Sequence, residues 1–522
     1  MRRTGLLGLV LGMLVPALAS PAQADVGYEG PPFTTGVLDP SGQKPQSKLW
    51  FHAGSWWGSL FVPAVPGADG TYRIHRLDAH AHRWVNTGTA LDERNTSEAD
   101  VLWDGAHLYV ASSSDSVAGI RLFRYRYDRR ARRYRPDSGF PVEIGTGAGP
   151  TEGVVLAKDG AGRLWITFAR EGTGNEDGRV YVAHSTVSDS AWVAPFGLPF
   201  PQAANISADD ISAIVAFEGR VGVMWSNQTD QKIYFATHVD ADPTTSWTLD
   251  VALGGPLSSD DHLNLKSLQA DPAGRVFAVV KTSLDEAPTP DPGSAQVRLL
   301  ILGQGGWAQH VFGTVANDHT RPIVLTDQRR RRLYVFATSP TLAGAGAQTI
   351  YYKETSLQNP SFAPGPGRSF IQSSAGDDIN DPTSTKQDLS RAPSLVVLAS
   401  DNADYWHNVL DRARPVLSRV SLRPFAFRAG RRARLRFSLS EQARVIVRIQ
   451  RRRRSRRGGR FRYVRLRGRF SVTRRGGRNA VRFRGRLRGR ALRPDRYRLA
   501  LVAVDAARNR SRTARIGFRI VG

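Results

Sequence analysis

A strand-like phrase of three mostly apolar residues recurs seven times along this chain of 522 residues. The copies begin at Leu49, Leu108, Leu164, Val221, Val276, Leu333 and Leu395. Successive copies start 55 to 62 residues apart, which is the length of one four-stranded propeller blade with generous loops. The recurrence predicts an all-β fold built on a seven-bladed β-propeller. Six blades with an additional strand pair is the alternative count.

Further strand signals accompany each copy of the phrase. A turn with glycine usually precedes it, as at Asp104-Gly105 and Asp159-Gly160, and such turns suit tight hairpins. An apolar run such as 154–156 lies before the turn, and a third strand such as 180–182 follows the phrase. A fourth strand begins near an aromatic residue, at Trp84, Trp192, Trp247 and Trp307. We therefore expect four strands, A to D, in each unit.

The seventh unit has no D-strand signal before the composition changes near residue 412. The segment around 32–38 precedes the first A strand and belongs to no unit. We expect this N-terminal segment to pair into the last blade, because closing the ring leaves no open sheet edge.

The charge of the chain is divided very unevenly. The whole sequence has a formal net charge of +27. Residues 415–522 contain 36 arginines, no lysine and 3 acidic residues, a net charge of +33, whereas the preceding residues carry −6. A mildly acidic body therefore precedes a strongly basic tail, and the two parts are expected to differ in fold and in partners.

The basic tail alternates apolar residues with arginines, as in Arg434–Leu439. This period of two predicts strands with one buried and one charged face. The segments 494–497 and 504–511 resemble the last hairpin of bacterial Ig-like or fibronectin-type sandwiches, and about seven such strands fit that class. The arginine run 451–460 is predicted to be a solvated hairpin loop. The predicted domains are a propeller at 25–412 and an Ig-like sandwich at 413–522.

The first 24 residues have the pattern of a secretory signal peptide. Arg2 and Arg3 precede an apolar run at 5–15, and Ala22-Gln23-Ala24 is a small-residue cleavage site. No later run approaches the ~18 apolar residues of a membrane helix. We expect an exported protein that is extracellular or associated with the cell envelope. The sequence contains no cysteine, which excludes disulfides and thiolate metal sites.

The repeating units resemble the sialidase-like, BNR-type propellers of secreted bacterial proteins. The Asp-box of that family lies in the turn between strands C and D, and Asp242, Ser246 and Trp247 stand at matching offsets. The leading serine and the glycine of the motif are missing. The resemblance covers roughly residues 40–410 and implies the propeller fold. A true sialidase would need three arginines around its substrate carboxylate, and before the tail only Arg321 occupies a comparable position.

Polar residues lie just ahead of the predicted A strands, where they would surround one mouth of the central channel. The candidate ligand-binding residues are Glu98, Asp100, Glu152, Asp210, Lys266, His319, Arg321 and Lys386. Carboxylates would line one arc and cations the facing arc, an arrangement that suits a sugar acid. The alternative interpretation is a wet channel with solvated polar side chains.

The sequence contains no H-E-x-x-H, G-x-S-x-G or phosphate-loop motif. The acidic run 377–381 lacks the alternating acids and glycine of a calcium loop. No cofactor and no metal site is predicted, and no catalytic residue is assigned. A glycoside hydrolase would require two carboxylates about 5 to 9 Å apart, and Glu98, Glu152 and Asp210 are candidates only if they converge.

Two functional hypotheses follow from these patterns. The first is a secreted, non-catalytic binding protein whose propeller binds carbohydrate or another cell-surface ligand and whose basic sandwich adheres to anionic envelope polymers. The alternative is a secreted polysaccharide-cleaving enzyme, hydrolase or lyase, with its site at the channel mouth. Nucleic acid is not expected as the physiological partner of an exported chain, although the electrostatics would permit binding.

Overall fold

The structure is a computed structural model. It describes residues 26–33, 37, 40–42, 45–65, 70–94, 96–114, 117–147, 151–170, 172, 178–260, 267–340, 347–454 and 461–522. The predicted signal peptide lies outside these residues. The chain divides into two compact units, residues 1–388 with 397–408 and residues 389–396 with 409–522. Among the described residues, no helix is long and apolar enough to span a membrane.

The described residues before the basic tail form seven antiparallel sheets, each with four or five strands. The first three consist of β2 (Leu49–His52), β3 (Ser55–Val62), β4 (Thr71–Asp78) and β5 (Arg83–Ala90); β6 (Ser97–Trp103), β7 (His107–Ser114), β8 (Ile120–Asp128), β9 (Arg133–Pro136) and β10 (Val142–Ile144); and β11 (Thr151–Lys158), β12 (Leu164–Arg170), β13 (Gly178–His184), β14 (Phe196–Gly197) and β15 (Ala204–Ile206).

The next three sheets consist of β16 (Ser212–Phe217), β17 (Arg220–Asn227), β18 (Lys232–Val239) and β19 (Thr248–Leu253); β20 (Ser267–Ala270), β21 (Val276–Lys281), β22 (Ala295–Gly303) and β23 (Gly306–Thr314); and β24 (Thr320–Asp327), β25 (Arg332–Pro340), β26 (Gln348–Ser356) and β27 (Arg368–Ile371). The seventh consists of β28 (Asn380–Thr383), β29 (Ser394–Ser400), β30 (Asp404–Asp411) and the N-terminal β1 (Tyr28–Pro32). Short 3₁₀ helices lie at Pro201–Ala203, Ser283–Glu286, Val315–Asn317 and Leu389–Arg391.

The seven sheets are the blades of a β-propeller, and the predicted fold class is confirmed. The first strands of successive blades lie against one another in order from β2 to β28, and the backbone N–H of Leu49 on β2 donates to the carbonyl oxygen of Ser384, just after β28. Second strands such as β12 are buried on both faces because they are sandwiched between adjacent blades. Outer strands such as β5 alternate between buried and exposed residues, which is the pattern of a sheet with one solvated face.

The first copy of the repeated phrase has a different place from the other six. Leu49 begins an innermost strand, whereas the other copies lie in second strands. A two-residue turn at Ala53 and Gly54, both with positive φ, connects β2 to β3 and has the dihedral signs of a type I′ hairpin turn. The apolar pattern of 49–51 therefore marks the first strand of its blade and not, as predicted, the second, although the blade itself was predicted correctly.

The N-terminal strand β1 closes the ring, as predicted. Tyr28 pairs with His407 and Glu29 with Trp406, so β1 is the outermost strand of the seventh blade. The strand spans 28–32 and lies slightly earlier than the expected segment around 32–38. A Cβ atom at Gly30 would lie 2.9 Å from the carbonyl oxygen of Tyr405, so this close strand approach depends on glycine.

The basic tail folds as a sandwich of two main sheets, and the predicted sandwich is confirmed. Its strands are β31 (Leu417–Arg423), β32 (Ala426–Arg428), β33 (Ala433–Leu439), β34 (Ala443–Arg454), β35 (Phe461–Arg465), β36 (Phe470–Arg474), β37 (Gly477–Phe483), β38 (Arg486–Leu487), β39 (Arg490–Ala491), β40 (Asp495–Val504) and β41 (Ala514–Val521). One sheet has the order β31-β33-β37, and the other has β32-β41-β40-β34-β35 with β36 also paired to β34.

Strand alternation separates the sandwich core from its arginines. In β33, Leu435 and Phe437 are buried while Arg434 and Arg436 are exposed. One prediction was wrong in part: 451–454 are not loop but the end of β34, paired with β35. The backbone ladder continues there because exposed arginines are compatible with a sheet whose outer face is solvated.

Ring closure should depend on pH through His407. This histidine is fully buried, with its ring 5.6 Å from that of Tyr28 and 5.8 Å from that of Trp84. Burial, assisted by nearby His82, lowers the pKa of His407 from 6.5 to about 4. A depressed histidine pKa contributes stability above pH 6.5 that is lost as pH falls toward 4. The contribution is at most ~3 kcal/mol, at ~1.36 kcal/mol per pKa unit.

We therefore expect His407→Phe to flatten the loss of unfolding free energy between pH 6.5 and 4, measured by urea denaturation at fixed ionic strength. The exposed His80, changed to Gln, is the control and should leave the profile unchanged. An unaltered profile in His407→Phe would contradict this account. Some acid dependence should remain, because burial also lowers the pKa values of His75 and His319 to about 4.

Candidate functional site in the propeller channel

Buried polar side chains bridge the channel between the first three blades. The Lys48 ammonium donates to Gln46 Oε1 at 3.0 Å and to the carbonyl oxygen of Ala99 at 2.6 Å. Gln46 Nε2 donates to the carbonyl oxygen of Val154 at 3.3 Å. Lys48 and Gln46 are only 2% and 3% exposed. These two side chains therefore hold neighbouring blades together inside the channel.

Asp100 and Lys386 come together within the same network. Both residues are predicted site residues, and the Lys386 ammonium contacts Asp100 Oδ2 and donates to the carbonyl oxygen of Leu156 at 2.6 Å. Asp100 also accepts from the backbone N–H groups of Ser47 and Leu156, at 2.8 and 2.7 Å. Burial raises the pKa of Asp100 and lowers that of Lys386, while their contact opposes both shifts. Asp100 has no exposed surface, so its place is structural.

The other described site residues, Arg321, His319, Asp210 and Glu98, have separate surroundings. Arg321 lies at the start of β24 with positive φ, and its Nε is 3.1 Å from Asp381 Oδ1. His319 is fully buried against the Phe312 ring and donates from Nε2 to the carbonyl oxygen of Pro366 at 2.9 Å. Phe312 belongs to the outermost strand of its blade, so His319 is away from the channel mouth.

Asp210 is buried in the fourth blade and accepts from the backbone N–H groups of Ser207 and Gln228, at 2.8 and 3.2 Å. Burial raises the pKa of Asp210 to about 6 against the effect of these bonds. Glu98 lies at the start of β6 and is half-buried. The side chain of Glu152 and all of Lys266 lie outside the described residues. Asp100 and Lys386, which were expected on facing arcs, contact each other directly; the split of carboxylates and cations around the channel stays a prediction.

A cavity of about 390 Å³ lies where the innermost strands end. It is lined by Leu102, Asp104, Leu156, Ala157, Lys158, Asp159, Ile214, Val215, Ala216, Gln269, Ala270 and Lys386. Strands β6, β11, β16 and β20 of four blades supply most of this lining, and Lys386 joins them from the segment between β28 and β29 of the seventh blade. The volume is in the range of small-molecule pockets, ~300–1,000 Å³. The predicted site residue Lys386 lines this cavity, whereas Glu98, Asp210 and Arg321 lie near the opposite ends of the A strands, where those strands begin.

Lys158 and Asp104 form an ion pair at the cavity, with Nζ 2.7 Å from Oδ2. The Lys158 ammonium also donates to the Tyr109 hydroxyl at 3.3 Å and lies over the Tyr109 ring. Tyr109 in turn donates to Asp189 Oδ2 at 2.7 Å. Each head group is thus held by a second partner, which reduces the entropy lost when a ligand binds to it.

The two cavity carboxylates are held in the ionised form. Burial tends to raise the pKa of Asp104, but the backbone N–H of His107 and the Lys158 ammonium outweigh it and the net shift is downward. The pKa of Asp159 is also lowered, because bonds from Trp165 and Arg163 outweigh burial. A glycosidase requires a carboxylic acid whose pKa is raised. These two carboxylates are therefore suited to accepting hydrogen bonds and not to donating protons.

Sequence reasoning assigned Asp104 and Asp159 only to hairpin turns. Both residues do belong to the turns that follow β6 and β11, and Asp104 accepts from the backbone N–H groups of Ala106 and His107. The repetition of an acidic residue in the turn after successive A strands was the available signal, because A strands are innermost and their ends meet at one channel mouth.

One group of carboxylates could hold a cation. Oxygens of Asp411, Glu441 and Asp505 all lie within 4.8 Å of one another, and all three residues belong to the second compact unit. Burial raises the pKa of Glu441, with added repulsion from the other two carboxylates. Carboxylate oxygens suit hard cations such as Ca²⁺. The sequence pattern did not predict this cluster because its members are far apart along the chain.

No protein-family model matches the sequence, and neither does any curated protein. Solved structures with similarity include a fungal alcohol oxidase of the AA5 family, at 11% identity and a TM-score of 0.38 over 95% of this chain and 100% of that one. An α-L-arabinanase from Penicillium chrysogenum has 11% identity and a TM-score of 0.40 over 65% and 99% of the two chains. The polysaccharide lyase Uly1 has 9% identity and a TM-score of 0.40 over 74% and 98%.

Glycoside hydrolases and a polysaccharide lyase are thus among the similar structures. Because the identities are near 10% and the TM-scores are below 0.5, these matches do not bear on the activity of this chain. The resemblance to sialidase-like propellers stays a prediction. The turn that contains Asp242 and Ser246 does lie between the third and fourth strands of its blade, β18 and β19.

Removing one partner of the Asp100–Lys386 pair should destabilise the propeller strongly. Lys386→Met leaves a buried carboxylate without its counter-charge, and such changes cost ~3–5 kcal/mol. The double variant Asp100→Asn with Lys386→Met should lose less, because no charge remains buried and the amide oxygen still accepts from one of the two backbone N–H groups that donate to Asp100. Urea denaturation measures both. Equal losses in the single and double variants would contradict a role for the pair as a structural bridge.

Proposed function

We propose that this chain is an exported carbohydrate-binding protein whose propeller binds a saccharide in the cavity at the ends of the innermost strands. The observation that carries the proposal is the ion pair of Lys158 and Asp104 at the edge of a cavity formed mainly by four blades. The pattern of the first 24 residues supports export.

The chemistry of the cavity matches that of a sugar. A sugar hydroxyl both donates and accepts hydrogen bonds, and the cavity provides the donor Lys158, the acceptor Asp104 and the amide of Gln269, which does both. Leu102, Val215 and Ala216, which are partly exposed, supply apolar surface for the C–H groups of a sugar ring. The lining offers polar and apolar surface in about equal parts, and polar groups placed among apolar ones fix the orientation of a bound small molecule.

The protonation state of the carboxylates at the cavity supports binding better than cleavage. The described carboxylates at its edge, Asp104 and Asp159, are ionised and already bonded to cations. Polysaccharide cleavage by a hydrolase would need one of them protonated at neutral pH. Cleavage is nevertheless the activity in the names of several similar structures, so the experiment below includes a direct test for it.

The arginine-rich sandwich is proposed to hold the protein on anionic polymers of the cell envelope. With 36 arginines and 3 acidic residues in 415–522, it presents a positive field that concentrates polyanions. Guanidinium groups bind phosphate and carboxylate with two parallel hydrogen bonds. In this proposal the sandwich provides location and the propeller provides selectivity.

Lys158→Ala should weaken saccharide binding by roughly tenfold or more, because it removes a charged donor and releases Asp104, and bonds to charged groups contribute ~1.5–3 kcal/mol. Calorimetric titration of the full chain with neutral and uronic-acid oligosaccharides of two to six units would measure this effect. The matched control is Lys232→Ala, a lysine at the start of β18 outside the cavity lining, which should bind like the unaltered chain.

The same incubations should be analysed for new reducing ends and unsaturated products. Saturable binding that survives 0.5 M NaCl, requires Lys158 and yields no product would support the proposal. Equal affinity of Lys158→Ala and the unaltered chain would place the ligand elsewhere. Time-dependent product formation lost in Asp104→Asn would replace binding with the cleavage hypothesis.

A further inference from the structure

Four arginines surround a cleft of about 190 Å³ on the outer face of the larger sandwich sheet. The cleft is lined by Ile446, Arg448, Gln450, Arg465, Ala500, Val502, Arg510, Thr513 and Arg515. All of these residues belong to the second compact unit. Val445, Val447 and Ile449 on β34 are buried in the core, so the alternate residues of this strand, Arg448 among them, face outward.

Strand register explains why arginines meet at this cleft. Arg448 on β34 is paired with Ala500 on β40, and Ala500 is paired with Arg515 on β41. Directly paired residues share one face of a sheet, and adjacent strands are ~4.8 Å apart, so the Cα atoms of the two arginines are ~10 Å apart with only a methyl group between them. Arg465 lies on the neighbouring strand β35, where it is paired with Gln450 of β34. A small residue between two long cationic ones produces a cleft and not a flat surface.

The four guanidinium groups of the cleft have no hydrogen-bond or ion-pair partner in the part of the chain that the structure describes. Other arginines of the same sheet do have partners. Arg451 Nε is 2.5 Å from Asp495 Oδ2, and Arg498 donates to Gln450 Oε1 at 2.5 Å while lying over the Tyr463 ring. Because Gln450 accepts through its oxygen, its amide N–H groups remain available toward the cleft.

Mutual repulsion in the cleft is visible at Arg448. The pKa of Arg448 is lowered by nearby Arg465, by burial, and by Arg469 and Arg510. The floor beneath the guanidinium groups is apolar: Ala500 is only 9% exposed although it faces outward, next to Ile446 and Val502. The cleft therefore combines converging positive charge with a small apolar floor, and an anion attached to a carbon skeleton would satisfy both.

We propose that this cleft is a binding site for a tetrahedral oxyanion ester, a phosphate or sulfate group carried by a sugar or polyol polymer. This inference rests on the proposed adhesion to anionic polymers and assigns it to particular residues. Guanidinium groups from three strands and a loop reach the cleft from different directions. The terminal oxygens of a tetrahedral ester, three in a monoester and two in a diester, point away from the plane of the ester bonds, whereas the two oxygens of a carboxylate lie in one plane with its carbon. The C–H groups of the attached sugar or polyol would lie on Ile446, Ala500 and Val502.

The test compares three hexameric probes of equal chain length on the full chain: glycerol-phosphate, sulfated maltohexaose and galacturonate. Dissociation constants are measured by calorimetry at 50 and 300 mM NaCl. We expect the phosphate probe, the sulfate probe or both to bind roughly tenfold more tightly than galacturonate at 300 mM salt, since a tetrahedral group directs its oxygens toward guanidinium groups on different sides of the cleft. The tighter of the two identifies the source of the oxyanion.

The decisive variants differ in position but not in charge. Arg448→Gln with Arg515→Gln removes two cleft arginines and should weaken oxyanion binding roughly tenfold or more. Arg434→Gln with Arg436→Gln removes two exposed arginines from the other sheet and should weaken it less than ~threefold. Thermal melts verify that both variants fold.

Two results would overturn the assignment of oxyanion binding to this cleft: equal weakening in the two double variants, or galacturonate binding as tight as that of the esters. Either result would leave the proposed adhesion by the general positive field intact. Failure of the unaltered chain to bind any of the three probes would overturn both. Saccharide binding that depends on Lys158 should be unchanged in either double variant, because the propeller cavity is a separate site.

Discussion

The propeller depends on one strand that returns from the beginning of the chain. Without β1 the seventh blade would have three strands and an open outer edge at β30, which would be available for pairing with another chain. The seam has further bonds nearer the channel, since Leu49 donates to the carbonyl oxygen of Ser384 and the backbone N–H of Phe61 donates to the Tyr405 hydroxyl. Ring closure fixes the distances across the channel, so every inter-blade contact there depends on it.

Closure also explains why the charged residues of the channel became structural. When blades meet around a narrow channel, the polar side chains of their inner strands lose water and must find partners in one another. Lys48, Asp100 and Lys386 do so through carbonyl oxygens, N–H groups and the opposite charge. The charges of these residues therefore join different blades. At the strand ends Lys158 and Asp104 remain partly exposed, which is why the proposed ligand site is placed there.

Local pattern and spacing were enough to predict the blade number, the closing strand and the alternating sandwich, because each reflects the period of two in strands or the repeat length of a blade. Pattern alone did not distinguish the first strand of the first blade from the second, because 49–51 and 56–57 are equally apolar. The candidate site was less predictable. Asp100 and Lys386 are 286 residues apart and meet only after closure, and the burial of His319 behind Phe312 depends on how two blades pack.

The sandwich folds with a net charge of +33 in 415–522 because strand alternation keeps nearly all arginines out of its core. Self-repulsion of this size still opposes the compact state. Of the three acidic residues, only Asp495 forms an ion pair with an arginine among the described residues, while Glu441 and Asp505 lie beside Asp411. The positive charge is therefore not relieved internally, least of all at the cleft of Arg448 and Arg515. An anion that bound the folded domain there would also stabilise it by mass action, so the proposed adhesion would be thermodynamically linked to folding of the sandwich.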